Sequence, residues 1–109
     1  MKAISIREPY ASMIRRGEKT IETRTWKTDY RGFILLCASK KPDGFLAGNA
    51  FAIGELVDVR PMVKEDEKRA CCEVYDGAYS WVFENIFPIT PCFKVKRVSL
   101  GCLKLGCSV

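Results

Sequence analysis

Apolar and polar positions alternate from Lys2 to Ile6, Ile4 and Ile6 falling on one face and Ala3 and Ser5 on the other, which predicts a short strand. Pro9 suits a first helical turn, and Tyr10, Ala11, Met13 and Ile14 follow at helical spacing. Arg15 and Arg16 suit a helix C-terminus and Gly17 its cap, so a helix of two turns is expected. From Thr20 to Trp26 the alternation returns, with Ile21 on one face and Thr20, Glu22, Arg24 and Trp26 on the other. Arg31-Gly32 turns into Phe33–Ala38, an unbroken apolar run of the kind found in strands buried on both faces. Lys40–Gly48, punctuated by Pro42, Gly44 and Gly48, is a loop with room for one helical turn.

Ala50–Val59 predicts a long strand that Pro61 ends. Lys64–Arg69 is charge-dense, either a short exposed helix or a loop, and its acidic run Glu65-Asp66-Glu67 is expected to be a solvated face. Tyr79–Ile89 predicts a further strand with Trp81, Phe83, Phe87 and Ile89 on one face, closed by Pro88 and Pro91. Phe93–Val98 alternates as one more strand, and the tail from Ser99 finishes the sheet loosely. With no repeat and no linker, residues 1–109 form one domain. Five or six strands with one or two short helices imply an α+β, mainly β fold: a small closed or nearly closed barrel with a helix plugging its side.

Composition narrows the chemistry. Hydrophobic residues at 48% and charged residues at 28% belong to a globular chain. The absence of histidine removes Ser-His-Asp and Cys-His nucleophiles, histidine-ligated zinc and histidine pH switches. No apolar stretch precedes Arg7 and Glu8 to act as a signal peptide, and Phe33–Ala38 is too short to span a membrane. A cytoplasmic protein with reduced cysteines is expected. Cys71, Cys72, Cys92, Cys102 and Cys107 contain no C-x-x-C, so neither a metal site nor a cofactor is expected.

The net charge of +5 is unevenly spread. Residues 1–41 hold ten Lys/Arg against four acids, residues 42–91 hold four against nine, and the last eighteen carry Lys94, Lys96, Arg97 and Lys104 with no acid. If the two basic ends adjoin in space, they form one face suited to phosphate.

The densest polar cluster is Gly17-Glu18-Lys19-Thr20-Ile21-Glu22-Thr23-Arg24. Lys19 sits at a helix-to-strand turn, and Glu22 and Arg24, two apart on a strand, share a face at about 7 Å between Cα atoms. An ammonium, a carboxylate and a guanidinium therefore converge near one barrel opening. As a binding site, Lys19 and Arg24, helped by Arg7, would contact a phosphate or base carbonyl. Glu22 would accept from an exocyclic amine, Tyr10, Trp26 or Trp81 would stack on a base, and Asn85 would read a base edge. The face that Trp81 and Phe83 share with Phe87 favours a core role for both, and a structural amide is the favoured reading of Asn85. As a catalytic site, a neutral Lys19 would act as base or nucleophile, or Glu22 or a second acid would activate water beside an oxyanion held by Lys19 or Arg24.

The spacing G-x-K-x-x-E-x-R, here Gly17, Lys19, Glu22 and Arg24, resembles the signature of the ASCH domain family, part of the PUA-like β-barrel superfamily. The opening Ser5-Ile6-Arg7-Glu8-Pro9-Tyr10-Ala11 is similar to that family's S-x-R-x-P-[WY]-A. Trp26, Tyr30–Leu35 and the aromatic segment Tyr79–Ile86 resemble later family segments, whereas residues 60–78 are the least anchored. The resemblance implies a PUA-like barrel that binds RNA or a modified nucleoside beside the motif. It also implies an alternative, an amidohydrolase on N4-acetylcytidine, or a ribonuclease. Deacetylating members use the motif lysine, a threonine three residues later and a downstream glutamate. Lys19 matches, Glu22 stands at the threonine position, and Glu55, Glu73 and Glu84 are candidates for the downstream acid. A third class, a protein-interaction module, would leave both RNA and nucleosides without effect on melting.

Overall fold

The computed structural model describes residues 2–95. In chain order they form β1 (Ala3–Ile6), α1 (Tyr10–Arg15), β2 (Ile21–Arg24), β3 (Gly32–Ala38) and β4 (Asn49–Pro61), then a 3-10 turn (Lys64–Asp66), α2 (Glu67–Ala70) and β5 (Tyr79–Lys94). The five strands make one sheet in the order β1-β3-β4-β5-β2. Only the β1–β3 pair is parallel, as expected when a helix and a strand intervene; the other pairs are antiparallel. The sheet curls as a barrel does but is not closed by backbone pairing among the described residues: β1 and β2 are its two edges. None of the described helices is long and apolar enough to cross a membrane.

Alternation decides which side chains enter the interior. Ile4 and Ile6 from β1, Ile34, Leu36 and Ala38 from β3, and Phe51, Leu56, Trp81 and Phe83 from β4 and β5 form the main core, which Ala11 and Ile14 of α1 plug. The unbroken apolar run of β3 is explained by its second face: Leu35 and Cys37 pack with Ala3 and Ala50 on the other side of the sheet. Burial there pushes the Cys37 thiol up to about 12, so it behaves as a small apolar core group. A third cluster, Ile21, Met62, Ala70, Ala78 and Val82, seats α2 against β2 and β5.

Three expectations change. Tyr79–Ile89 and Phe93–Val98 are not separate strands as far as Lys94; they are one strand, β5. Register shifts take up the extra residues: three on β4 from Ala50 to Ala52 face six on β5 from Pro88 to Phe93, so the prolines sit in a bulged ladder instead of ending it. The remainder of that strand, the tail, Cys102 and Cys107 lie outside the described residues. Phe87 does not share a face with Trp81 and Phe83, because a bulge at Asn85 (φ +49°) inserts one residue and reverses the alternation. Phe87 is consequently exposed and leans toward Phe33, with ring centroids 6.4 Å apart. Finally, the acidic run is not wholly solvated. Asp66 is buried and accepts from Arg60 (2.6 Å), the Val63 backbone (3.2 Å) and the Ser80 hydroxyl (2.9 Å). Charge density alone cannot reveal that the 3-10 turn points this one carboxylate inward.

Glu8 has the same character. Its carboxylate is buried and accepts from the Ser12 backbone, the Ser12 hydroxyl and the Leu46 backbone, each at 2.8 Å. It thereby joins the start of α1 to the β3–β4 connection. Burial pulls its pKa up, but the Leu46 and Ser12 hydrogen bonds outweigh this and hold it below the ordinary 4.5. A depressed carboxylate contributes stability above its unfolded pKa and loses it as pH falls through the folded value. Glu8→Ala is thus expected to cost about 2–4 kcal/mol in urea denaturation at neutral pH, leaving three donors unpaired. The difference from wild type should shrink below 4.5; a deficit independent of pH would refute the charge-assisted clamp.

Candidate functional site

The site is built at the seam where the two sheet edges meet. Gly17 ends α1 in the left-handed region (φ +86°), which a residue with a Cβ adopts only with strain, and this reverses the chain within one residue. The backbone N–H groups of Glu18 and Lys19 both return to the Met13 carbonyl. Thr20 then joins the sheet, its N–H donating to the Arg69 carbonyl (2.9 Å) and its carbonyl accepting from Phe83 (2.9 Å). The turn holding Lys19 is therefore fixed from both sides.

Lys19 is 1% exposed, which is exceptional for a lysine. Its ammonium donates to the Ala70 carbonyl at the end of α2, lies 3.6 Å from Glu22 Oε1 and faces the Tyr10 ring at 4.8 Å from the centroid. Glu22 Oε2 in turn lies 3.3 Å from the Arg24 guanidinium. Arg24 donates across the seam to the Ser5 carbonyl of β1, so one side chain bridges the edges that backbone pairing leaves open. Its Nε is buried without a partner among the described residues, a cost tolerated more readily in a site than in a scaffold. Burial raises the Glu22 carboxyl above the ordinary 4.5, and the charges of Arg24 and Lys19 and the Thr23 backbone offset this only in part.

A cavity of about 410 Å³ opens on this row, lined by Ser5, Arg7, Tyr10, Lys19, Glu22, Thr23, Arg24, Cys72 and Tyr75. That volume is in the roughly 300–1,000 Å³ range of small-ligand sites. Lys19 and Glu22 form its buried floor, while Arg7 and Tyr75 are exposed at its rim. Three cations surround one carboxylate, so the lining carries net positive charge and favours a ligand with acceptors or negative charge.

Of the residues singled out from sequence, Lys19, Glu22, Arg24, Arg7 and Tyr10 come together here. Trp26, Trp81 and Asn85 do not line the cavity. Trp81 is fully buried, its indole N–H donating to the Trp26 carbonyl (3.1 Å) and its ring meeting Trp26 edge-on at 4.7 Å. Asn85 sits in its bulge and donates to Glu55 (2.9 Å). Glu55 faces Glu84 across the β4–β5 ladder, Glu73 is exposed beside Cys72, and none of the three lines the cavity. Residues 70–75 supply what sequence reasoning missed. The Ala70 carbonyl holds Lys19, the Tyr75 hydroxyl donates to Thr23 (3.1 Å), and Cys72 packs on Thr23. A backbone carbonyl has no sequence signature; the turn-forming Asp76-Gly77 after Tyr75 is a signal that could have marked a fixed loop here.

A half-closed β-barrel with a small polar cavity at its seam is the class of molecule defined so far. A family model described as ASCH domain matches residues 4–93, and the chain belongs to that family. Two solved structures have the same fold, both single-substitution mutants of the ZmASCH protein from Zymomonas mobilis, each 19% identical with a TM-score of 0.59. They cover 82% of this chain, which in turn covers 72% and 70% of theirs. No curated protein matches the chain.

Because Lys19 and Arg24 both pull the Glu22 carboxyl downward against burial, removing either charge should raise its pKa further. Carboxyl NMR titration is expected to place Glu22 above 4.5 in wild type and higher in Lys19→Met and Arg24→Met. A Glu22 titration at or below the ordinary value would refute this electrostatic account.

Proposed function

We propose that the cavity binds a single nucleobase, either of a modified nucleoside or of a base presented by RNA. The observation that carries this reading is the floor of the cavity: a carboxylate set beside a guanidinium at 3.3 Å, under a fully buried lysine and next to an aromatic ring. Glu22 accepts from an exocyclic amine while Arg24 donates to the neighbouring acceptor, the donor–acceptor pair that a cytosine edge presents. Tyr10 offers an aromatic face, and Arg7 at the rim is placed for a phosphate or ribose oxygen. The ammonium of Lys19 is already engaged by Ala70, Glu22 and the Tyr10 ring, which suits it to fixing charge and shape. Family membership is consistent with an RNA-related ligand.

Calorimetric titration with cytidine, N4-acetylcytidine and short single-stranded RNA tests the reading. Arg24→Ala should weaken binding by about 10- to 150-fold, the worth of a hydrogen bond to a charged group. Affinity unchanged in a folded Arg24→Ala protein would refute the cavity as the site.

The raised pKa of Glu22 supports a second reading, hydrolysis of the amide of N4-acetylcytidine. A carboxyl shifted upward can take a proton from water and return it to the leaving amine, while Lys19 and Arg24 stabilise the oxyanion. Water adds to the acetyl carbon, the C–N bond breaks, and cytidine and acetate leave. Chromatography after incubation with N4-acetylcytidine should then show cytidine and acetate, with turnover at least about 100-fold lower in Glu22→Gln, the usual worth of a general base. Turnover no greater than in Lys19→Ala removes this reading.

A further inference from the structure

Phe45 is 90% exposed, the highest value among the exposed large apolar side chains described. An isolated exposed apolar residue has no meaning by itself, but three observations set this one apart. The first is that the turn presenting it is fixed. Glu8 accepts from the Leu46 backbone, Leu46 is buried in the main core, and the Asn49 side chain donates to the Leu46 and Ala47 carbonyls. Gly44 lies so close to Glu8 that a Cβ there would stand 2.6 Å from its Cγ. Phe45 thus projects between two anchored neighbours and is held outward.

The second observation is charge. Lys40 and Lys41 are exposed on the same connection, where Asp43 is the one acid. Lys94, also exposed, pairs in register with Asn49, and the next residue, Val95, donates to the Gly48 carbonyl (3.0 Å). Gly48 also lies against Lys40, whose Cγ would stand 3.6 Å from a Cβ at that glycine, so Lys40 and Lys94 both flank this turn.

The third is continuity with the cavity. Ser39, which precedes Lys40, shares a 2.7 Å hydroxyl hydrogen bond with Ser5 of the cavity wall, and its N–H donates to the Ile6 carbonyl. Glu8, which anchors the Phe45 turn, directly follows the rim residue Arg7. Wall, rim and turn are thus linked through direct hydrogen bonds and adjacent residues.

We propose that Phe45, with Lys40, Lys41 and Lys94, is a second nucleobase platform on which single-stranded RNA stacks a base while a neighbouring nucleotide occupies the cavity. It rests on the nucleobase reading of the cavity. An exposed ring stacks on any base, and flanking lysines engage the phosphates between the two positions, the combination that single-strand binders use. The platform gives a strand an advantage that a free nucleoside lacks.

Affinities of wild type, Phe45→Ala and Phe45→Trp for a mononucleoside and for a short single-stranded RNA decide the matter. Phe45→Ala should weaken RNA binding by about 5- to 150-fold and leave nucleoside binding unchanged, with Phe45→Trp restoring it. Lys40→Ala with Lys41→Ala should lower the slope of log affinity against log salt by up to about 1.4. Nucleoside binding in wild type with RNA affinity indifferent to Phe45→Ala overturns the platform and leaves the cavity reading standing. Absence of binding by both ligands overturns the cavity reading, and the platform with it. Phe45-dependent adsorption to vesicles of anionic phospholipid, without an effect on RNA, also overturns it in favour of a membrane contact.

Discussion

Burial of the Lys19 ammonium is the constraint around which the rest of the seam is arranged. Taking a charge out of water costs several kcal/mol unless partners replace the lost hydration. Here the partners come from three separate elements: the Tyr10 face from α1, the Glu22 carboxylate from β2 and the Ala70 carbonyl from the end of α2. Each replaces part of the lost hydration, so the lysine couples the helix that plugs the barrel to β2 and to α2. The same convergence leaves Glu22 and Arg24 facing a cavity. Structural demand and chemical capacity thus arise from one buried charge.

Two buried carboxylates show how differently the chain treats the same group. Glu8 receives three hydrogen bonds and, among the described residues, no charged partner at contact distance, and is held below its ordinary pKa as a fixed clamp. Glu22 has two cations beside it, yet burial wins and its pKa rises. Backbone and hydroxyl donors aimed at Glu8 make its charge welcome, whereas Glu22 lies on the floor of an open cavity. This environment is in keeping with the recognition or proton-transfer role proposed for Glu22.

Leaving the barrel unclosed is what creates the site. Edge strands expose unpaired backbone groups and normally need protection. Here β1 and β2 are short, and the Arg24 side chain spans from one to the other by donating to Ser5. Ordinary strand pairing at the same place would fill the gap with backbone and remove the cavity. The loop before β4, tied to the β1 edge through Ser5–Ser39 and Glu8–Leu46, extends that surface outward.

Much of this was legible in the chain itself. The period-2 alternation of Lys2–Ile6 and of Thr20–Trp26, from which β2 takes only Ile21–Arg24, the apolar run of β3, the short helix and its Gly17 cap each follow from steric and solvation preferences acting within a few residues, and so did the clustering of Lys19, Glu22 and Arg24. Tertiary structure alone decided which faces mattered. The bulge at Asn85 reversed the alternation and sent Phe87 outward, and Asp66 turned inward from an acidic run. The physical reason is range. Local periodicity records what a residue does relative to its own strand or helix, whereas Lys19 finds its acceptor 51 residues away, and the cavity wall joins Ser5 to Tyr75. Those encounters depend on how the sheet curls and where its edges stop, which no short window of sequence contains.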